Sequence, residues 1–151
     1  MHIAINNSKI DISLKKSTKR LAEDLANLFK IGDIIFLCGE MGVGKTTFVR
    51  YLINQIQENN NLAITDVTSP TFNLLNEYQV KDLIIKHYDL FRLKDKSEIE
   101  NLDLFENYKN SLTLIEWPQL IKKKKSINSI DLIFTYEDEF ESRFVKINGL
   151  S

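Results

Sequence analysis

Eight consecutive residues carry the clearest chemical signal in this chain: Gly39-Glu40-Met41-Gly42-Val43-Gly44-Lys45-Thr46, followed by Thr47. They fit G-x-x-x-x-G-K-[ST], the phosphate-binding loop or P-loop pattern. Glycines let the backbone turn at positive φ and bring N–H groups close to a ligand. Those N–H groups and the positive end of the helix that follows form a cradle for phosphate. Lys45 is placed to reach the β- and γ-phosphates of a nucleotide, and the Thr46 hydroxyl to sit on Mg²⁺. The chain holds only five glycines, and three of them lie in this loop.

A P-loop binds phosphate; hydrolysis also needs an acid for the magnesium and a means of placing water. Two acids stand at the ends of apolar runs. Glu116 follows Leu112-Thr113-Leu114-Ile115, a Walker B arrangement, and Asp89 follows Leu83–Tyr88. Ligands of α/β sheets sit beyond the carboxyl ends of the strands, so both acids could point at a nucleotide. The plainer reading makes Asp89 a turn residue and Glu116 a cap ahead of Pro118. With a P-loop upstream, a metal role is favoured for at least one; which of them touches Mg²⁺ directly is left open. His87 lies two residues before Asp89 and faces the same side of a strand, where it could orient an acid or a phosphate. Arg92 is a candidate cation for charge developing on phosphate, or a solvated surface residue. Ser69 and Thr71 are candidates for a switch loop at the γ-phosphate, and Thr71 could equally cap a turn. Trp117, the only tryptophan, is expected half-buried beside the site. The run Lys122–Lys125 reads as a solvated face, with phosphate-backbone contact as the sharper alternative.

The elements that must position these groups follow from periodicity. Ile34-Ile35-Phe36-Leu37-Cys38 is a short apolar run, as a buried strand would be. Phe48, Val49, Leu52, Ile53 and Ile56 then recur at helical spacing, so the P-loop joins a strand to a helix. Upstream, Ile3, Ile5, Ile10, Ile12 and Leu14 suggest an opening strand with a turn at Asn6-Asn7-Ser8. Leu21, Leu25, Leu28 and Phe29 predict an amphipathic helix, with Ser17 as candidate N-cap and Gly32 placed to end it. Downstream, Leu74–Val80 and Leu83–Asp89 predict a hairpin around Lys81-Asp82. A short helix is expected from Ser97, and a terminal hairpin has its acids, Glu137 to Glu141, at the tip. The order of elements predicts an α/β fold for residues 1–151 as one P-loop domain: a mixed sheet, parallel at the centre, with antiparallel edge hairpins and flanking helices.

Composition agrees. The 151 residues are 43% apolar and 27% charged, with net charge −1 and one cysteine, Cys38. A chain this long can bury a sufficient core without a staple, no global charge favours nucleic acid, and no intrachain disulfide can form. Cys38 reads as a small core residue. No run approaches a membrane span, and Met1–Ile5 lacks the layout of a secretory signal, so no membrane association is expected and cytoplasm is the default.

Four stretches together resemble one family. Gly39–Thr47, Ser69-Pro70-Thr71-Phe72, His87-Tyr88-Asp89-Leu90-Phe91-Arg92 and Leu114-Ile115-Glu116-Trp117-Pro118 stand in the order and spacing of the TsaE (YjeE) family, bacterial P-loop ATPases of tRNA threonylcarbamoyladenosine biosynthesis. Thr18 and the pair Gly32-Asp33 also match. The resemblance covers nearly the whole chain. It implies ATP and Mg²⁺ as cofactors and a TsaD–TsaB heterodimer as partner, with tRNA met through that complex. It implies that ATP binding supports assembly and that hydrolysis resets the complex. By motif match, Lys45 and Thr46 take phosphate and Mg²⁺ roles, and Asp89 and Glu116 fall on the family's magnesium and catalytic acids. Ser69–Phe72 falls on its switch-like loop, and Arg92 and Trp117 on functionally sensitive positions. Glu40-Met41 stands where Asp-Leu is commoner. Phe91 replaces a common tyrosine and loses its hydroxyl. Two other readings keep the P-loop: a small kinase passing the γ-phosphate to a metabolite, and a nucleotide-gated binding module with negligible turnover. Against the kinase, the chain shows no arginine-rich lid segment.

Overall fold

The computed structural model describes residue 4, residues 6–121 and residues 127–150. The expected contributions of Ile3 and Ile5 to an opening strand, and the run Lys122–Lys125, lie outside the described residues. Among the described residues seven strands form one sheet: β1 Lys9–Asp11, β2 Ile34–Cys38, β3 Leu75–Val80, β4 Leu83–Asp89, β5 Ser111–Glu116, β6 Ile130–Glu137 and β7 Ser142–Asn148. Their order is β1-β7-β6-β2-β5-β4-β3. β2 lies parallel between β5 and β6, and β4 is parallel to β5. The outer pairs β3–β4, β6–β7 and β1–β7 are antiparallel. The carboxyl ends of β2, β4, β5 and β6 therefore share one edge of the sheet, where ligands of such sheets bind.

Alternation along the strands separates two apolar layers. Ile35 and Leu37 of β2, Leu112 and Leu114 of β5, and Leu132 and Phe134 of β6 face the helices α1 (Lys15–Leu28) and α2 (Lys45–Asn59). Phe48 of α2 meets Phe134 edge to face, ring centres 5.9 Å apart. Ile34, Phe36, Tyr88 and Ile115 face the other way, against Leu90, Ile99 and Leu104 of the long β4–β5 connection. Among the described residues no helix is long and apolar enough to cross a membrane.

Three local expectations are corrected. The first helix begins at Lys15, and Ser17 is not its cap. The Asp11 carboxylate accepts from Ser13 N–H at 2.8 Å and turns the chain early, so Leu14 is the N-cap and Ser17 N–H already bonds the Leu14 carbonyl at 3.0 Å. The helix ends at Leu28, before Gly32. Gly32, at φ +94°, serves instead the turn in which Asp33 N–H bonds the Lys30 carbonyl. The helix expected from Ser97 is α3, Lys96–Glu100 only, opened by a capping box between Asp95 and Glu98. Beyond it, positive φ at Asp103 and Asn107 breaks the helical path, so Leu102, Leu104 and Phe105 pack from turns.

Candidate functional site

The P-loop joins the end of β2 to the start of α2. Gly39 is enforced sterically: at φ +148°, a Cβ would stand 2.7 Å from the Phe134 carbonyl oxygen. Val43 is fully buried and anchors the loop from below. Gly44 is the N-cap of α2 at φ +114°, so the first N–H groups of that helix lack intrahelical partners, as an anion site requires. The Lys45 ammonium donates to the Gly39 carbonyl and lies 3.6 Å from the centre of the Trp117 ring. Burial lowers its pKa, while the nearby Glu116 and Asp89 carboxylates oppose that shift. Trp117 reaches this position with left-handed backbone, φ 58°, ψ 60°, a conformation that is costly for a bulky residue and occurs where the surroundings enforce it.

Both strand-end acids sit on the P-loop face. Asp89 and Glu116 are paired in the β4–β5 register and are 5% and 2% exposed. The Thr46 hydroxyl is 3.3 Å and 3.4 Å from the two Glu116 oxygens. Glu116 Oε2 is also held by His87 Nε2 at 2.6 Å. His87 is wholly buried, and its Nδ1 has no hydrogen-bond partner among the described residues. Asp89 Oδ1 accepts from Phe91 N–H at 3.0 Å. Its Oδ2 accepts from the Ser69 hydroxyl at 3.1 Å and the Thr71 hydroxyl at 3.3 Å. Asp89 thus ties the Ser69–Phe72 loop to the end of β4.

These groups line a cleft of about 360 Å³, within the usual range for small-molecule sites. The structure brings Met41, Gly42, Gly44, Lys45, Thr46, Thr47, Ser69, Thr71, Asp89, Glu116 and Trp117 to its walls. Gly39 and Val43 lie beneath, and Glu40 is exposed, its carbonyl accepting from Val43 N–H. Thr18 and Arg92 do not reach the lining. The Thr18 hydroxyl lies buried against the Ile12 carbonyl at 3.4 Å. Arg92 donates to the Phe72 carbonyl at 3.2 Å and lies 5.6 Å from the Phe72 ring. Phe91 and Arg143 line the cleft as well. Phe91 packs on Trp117, ring centres 4.9 Å apart. No local signal marked Arg143, which arrives through the pairing of β7 with β6.

The donor set fits Mg²⁺ held together with the phosphates of a nucleotide. Two carboxylates and one hydroxyl are a sparse, all-oxygen set, suited to Mg²⁺, which takes one or two carboxylates and completes its shell with substrate phosphates and water. Among the described residues no cluster of three His, Cys, Asp or Glu could hold a metal by protein ligands alone.

Comparison with known proteins identifies the family. The family model described as threonylcarbamoyl adenosine biosynthesis protein TsaE matches residues 12–144. The tRNA threonylcarbamoyladenosine biosynthesis protein TsaE of Rickettsia felis is 44% identical over 108 residues, 72% of this chain and 61% of that protein. Its Rickettsia conorii counterpart is 42% identical over 111 residues, again 61% of its length, so the match spans less than two thirds of these two relatives. The Bacillus subtilis protein of the same name is 32% identical over 137 residues, covering 89% of this chain and 82% of that one. In fold, the chain is similar to the crystal structure of Bacillus subtilis YdiB, with TM-score 0.70 at 23% identity over 95% of this chain and 86% of that one.

Proposed function

We propose, on the premise that this chain belongs to the TsaE family, that it is the ATP-binding and ATP-hydrolysing component of the machinery that makes threonylcarbamoyladenosine at position 37 of tRNA. The observation that carries the reading is the convergence of Lys45, Thr46, Asp89 and Glu116 on one cleft at the carboxyl edge of the sheet. In this reading the chain is one P-loop domain acting in the cytoplasm, with a TsaD–TsaB pair as partner and tRNA met through that complex.

Lys45 neutralises charge on the β- and γ-phosphates, and the P-loop N–H groups hold the same oxygens. Thr46 and Glu116, whose oxygens already lie side by side, would hold Mg²⁺, and Asp89 would serve as a further ligand or as the acid that places water. When bound there, Mg²⁺ would neutralise charge on the phosphate being transferred. His87 fixes one oxygen of Glu116. Ser69 and Thr71 sense the state of the cleft through Asp89, which links phosphate occupancy to the exposed Phe72 and so to a partner surface.

The test is Mg-ATP turnover by the purified protein, alone and with a TsaD–TsaB pair. Weak turnover that rises with the partners is expected. Turnover that partners leave unchanged, with no complex formed, contradicts the assembly role. A phosphorylated small-molecule product would point to a kinase instead.

A further inference from the structure

The Lys45 ammonium is buried, and its contacts lie within the protein. It donates to the Gly39 carbonyl, and it stands 3.6 Å from the centre of the Trp117 ring. Among the described residues no carboxylate lies within ion-pair distance of it. The indole face therefore stands where an anion would balance the charge, and aromatic faces attract cations in this way. Trp117 is half-buried, and Phe91 packs on it with ring centres 4.9 Å apart. Phe91 is itself exposed.

Phosphate and indole cannot share one side of this ammonium. A phosphate oxygen bound to a lysine sits about 2.8 Å from the nitrogen. With its phosphorus behind it, that oxygen would overlap a ring centred 3.6 Å away. Another side of the ammonium is committed to Gly39. Trp117 also holds a backbone posture that is costly on its own, left-handed at φ 58°, ψ 60°. Pro118 follows and narrows its backbone choices further. The contacts to Lys45 and Phe91 hold it there. We infer that Trp117 is a plug on the phosphate lysine: its ring competes with phosphate for the Lys45 ammonium, and the ligand seats only as the ring swings aside. Trp117 follows Glu116 directly, and both line the cleft. Seating the phosphate and clearing the space beside Glu116 are therefore one event. The inference rests on the ATP reading above for its ligand and adds what that ligand must displace.

Two readouts test this on the wild type, Trp117→Ala, Trp117→Phe and Phe91→Ala, with a thermal melt on every variant. The first is calorimetric affinity for Mg-tripolyphosphate, which has the phosphates without a nucleoside to stack on the ring. Trp117→Ala should tighten it about fivefold, the scale of one partly desolvated cation–π contact. Trp117→Phe, whose ring holds a cation less well, and Phe91→Ala, which removes only the support, should tighten it less. The second readout needs no ligand. It is the rate of reductive methylation of Lys45 by formaldehyde and cyanoborohydride, read by peptide mass spectrometry against the exposed Lys16. Trp117→Ala should raise that rate by about the same factor, because both readouts report the freed ammonium. Weaker or unchanged tripolyphosphate binding by Trp117→Ala overturns the inference. Tighter binding with Lys45 no more reactive overturns it too. If Trp117→Ala melts early, Trp117→Phe and Phe91→Ala carry the test, and tightening in neither of them overturns the plug. A wild type that binds neither tripolyphosphate nor Mg-ATP defeats the ATP reading, while the reactivity of Lys45 still decides the plug.

Discussion

The two flanks of the P-loop strand are built differently. On the β5–β4 flank the strands are parallel and covered on both faces, and His87, Glu116 and Asp89 are almost without exposure. Both acids are already held, Glu116 by His87 and Thr46, and Asp89 by Phe91 N–H and two hydroxyls. On the β6–β7 flank the strands form an antiparallel hairpin, Tyr136 and Arg143 are half-buried, and Phe140 at the tip is 69% exposed. Its Tyr136–Phe140 pair, ring centres 4.9 Å apart, sits at the surface. A group that must act on charge developing in a reaction gains from being fixed beforehand in a dry setting. A group that only holds the ligand does not need that rigidity. The contrast supports the proposed placing of the chemistry on the buried flank.

Substitutions can break this division, and the largest effect is expected where the flanks meet. Lys45→Ala should weaken Mg-ATP binding about 100-fold, as loss of a close charge partner does; unchanged affinity in calorimetry would refute the phosphate cradle. His87→Ala should leave the buried Glu116 oxygen without its partner. Unfolding free energy should fall by about 1–3 kcal/mol, and turnover should fall while ATP affinity stays near wild type, as read by denaturant melts beside steady-state kinetics. A fall in affinity with unchanged turnover would assign chemistry to the wrong flank. The double change Ser69→Ala, Thr71→Ala frees Asp89 Oδ2 and should lower turnover about tenfold, on the scale of two lost hydrogen bonds. The smallest effect is expected at the hairpin tip. Phe140→Ala should cost about 0.5–1.5 kcal/mol of stability, the scale of one aromatic pair, with ATP turnover unchanged.

Much of the fold was legible because its signals are local. The run Ile34–Cys38, the glycines of the loop and the helical spacing from Phe48 to Ile56 name a strand–loop–helix unit without help from distant residues. Leu112–Glu116 and Leu83–Asp89 end in acids at the edge that parallel pairing to β2 then brings together. What was not legible depends on long-range contacts or on competition between short-range ones. Ser17 looked like a cap, yet the Asp11 carboxylate turned the chain first. Gly32 looked like a helix end, yet it serves the turn before β2. Arg92 matched a motif, and its side chain bonds the Phe72 carbonyl next to the Ser69–Thr71 loop, while Arg143 reaches the cleft from about 100 residues downstream of the P-loop. That arrival required the register of β6 with β7 and the parallel docking of β6 on β2, neither of which is encoded within any short window.

The central claim is that Glu116 is needed for hydrolysis and can be replaced by Gln without loss of nucleotide binding. It is tested by comparing phosphate release from saturating Mg-ATP by wild type and Glu116→Gln, both with the TsaD–TsaB pair present and with bound nucleotide measured in the same samples. The expected result is that nucleotide remains bound in the variant while phosphate release falls about 100-fold or more, the range for removing one preorganised electrostatic group. Phosphate release by Glu116→Gln at the wild-type rate would contradict the account.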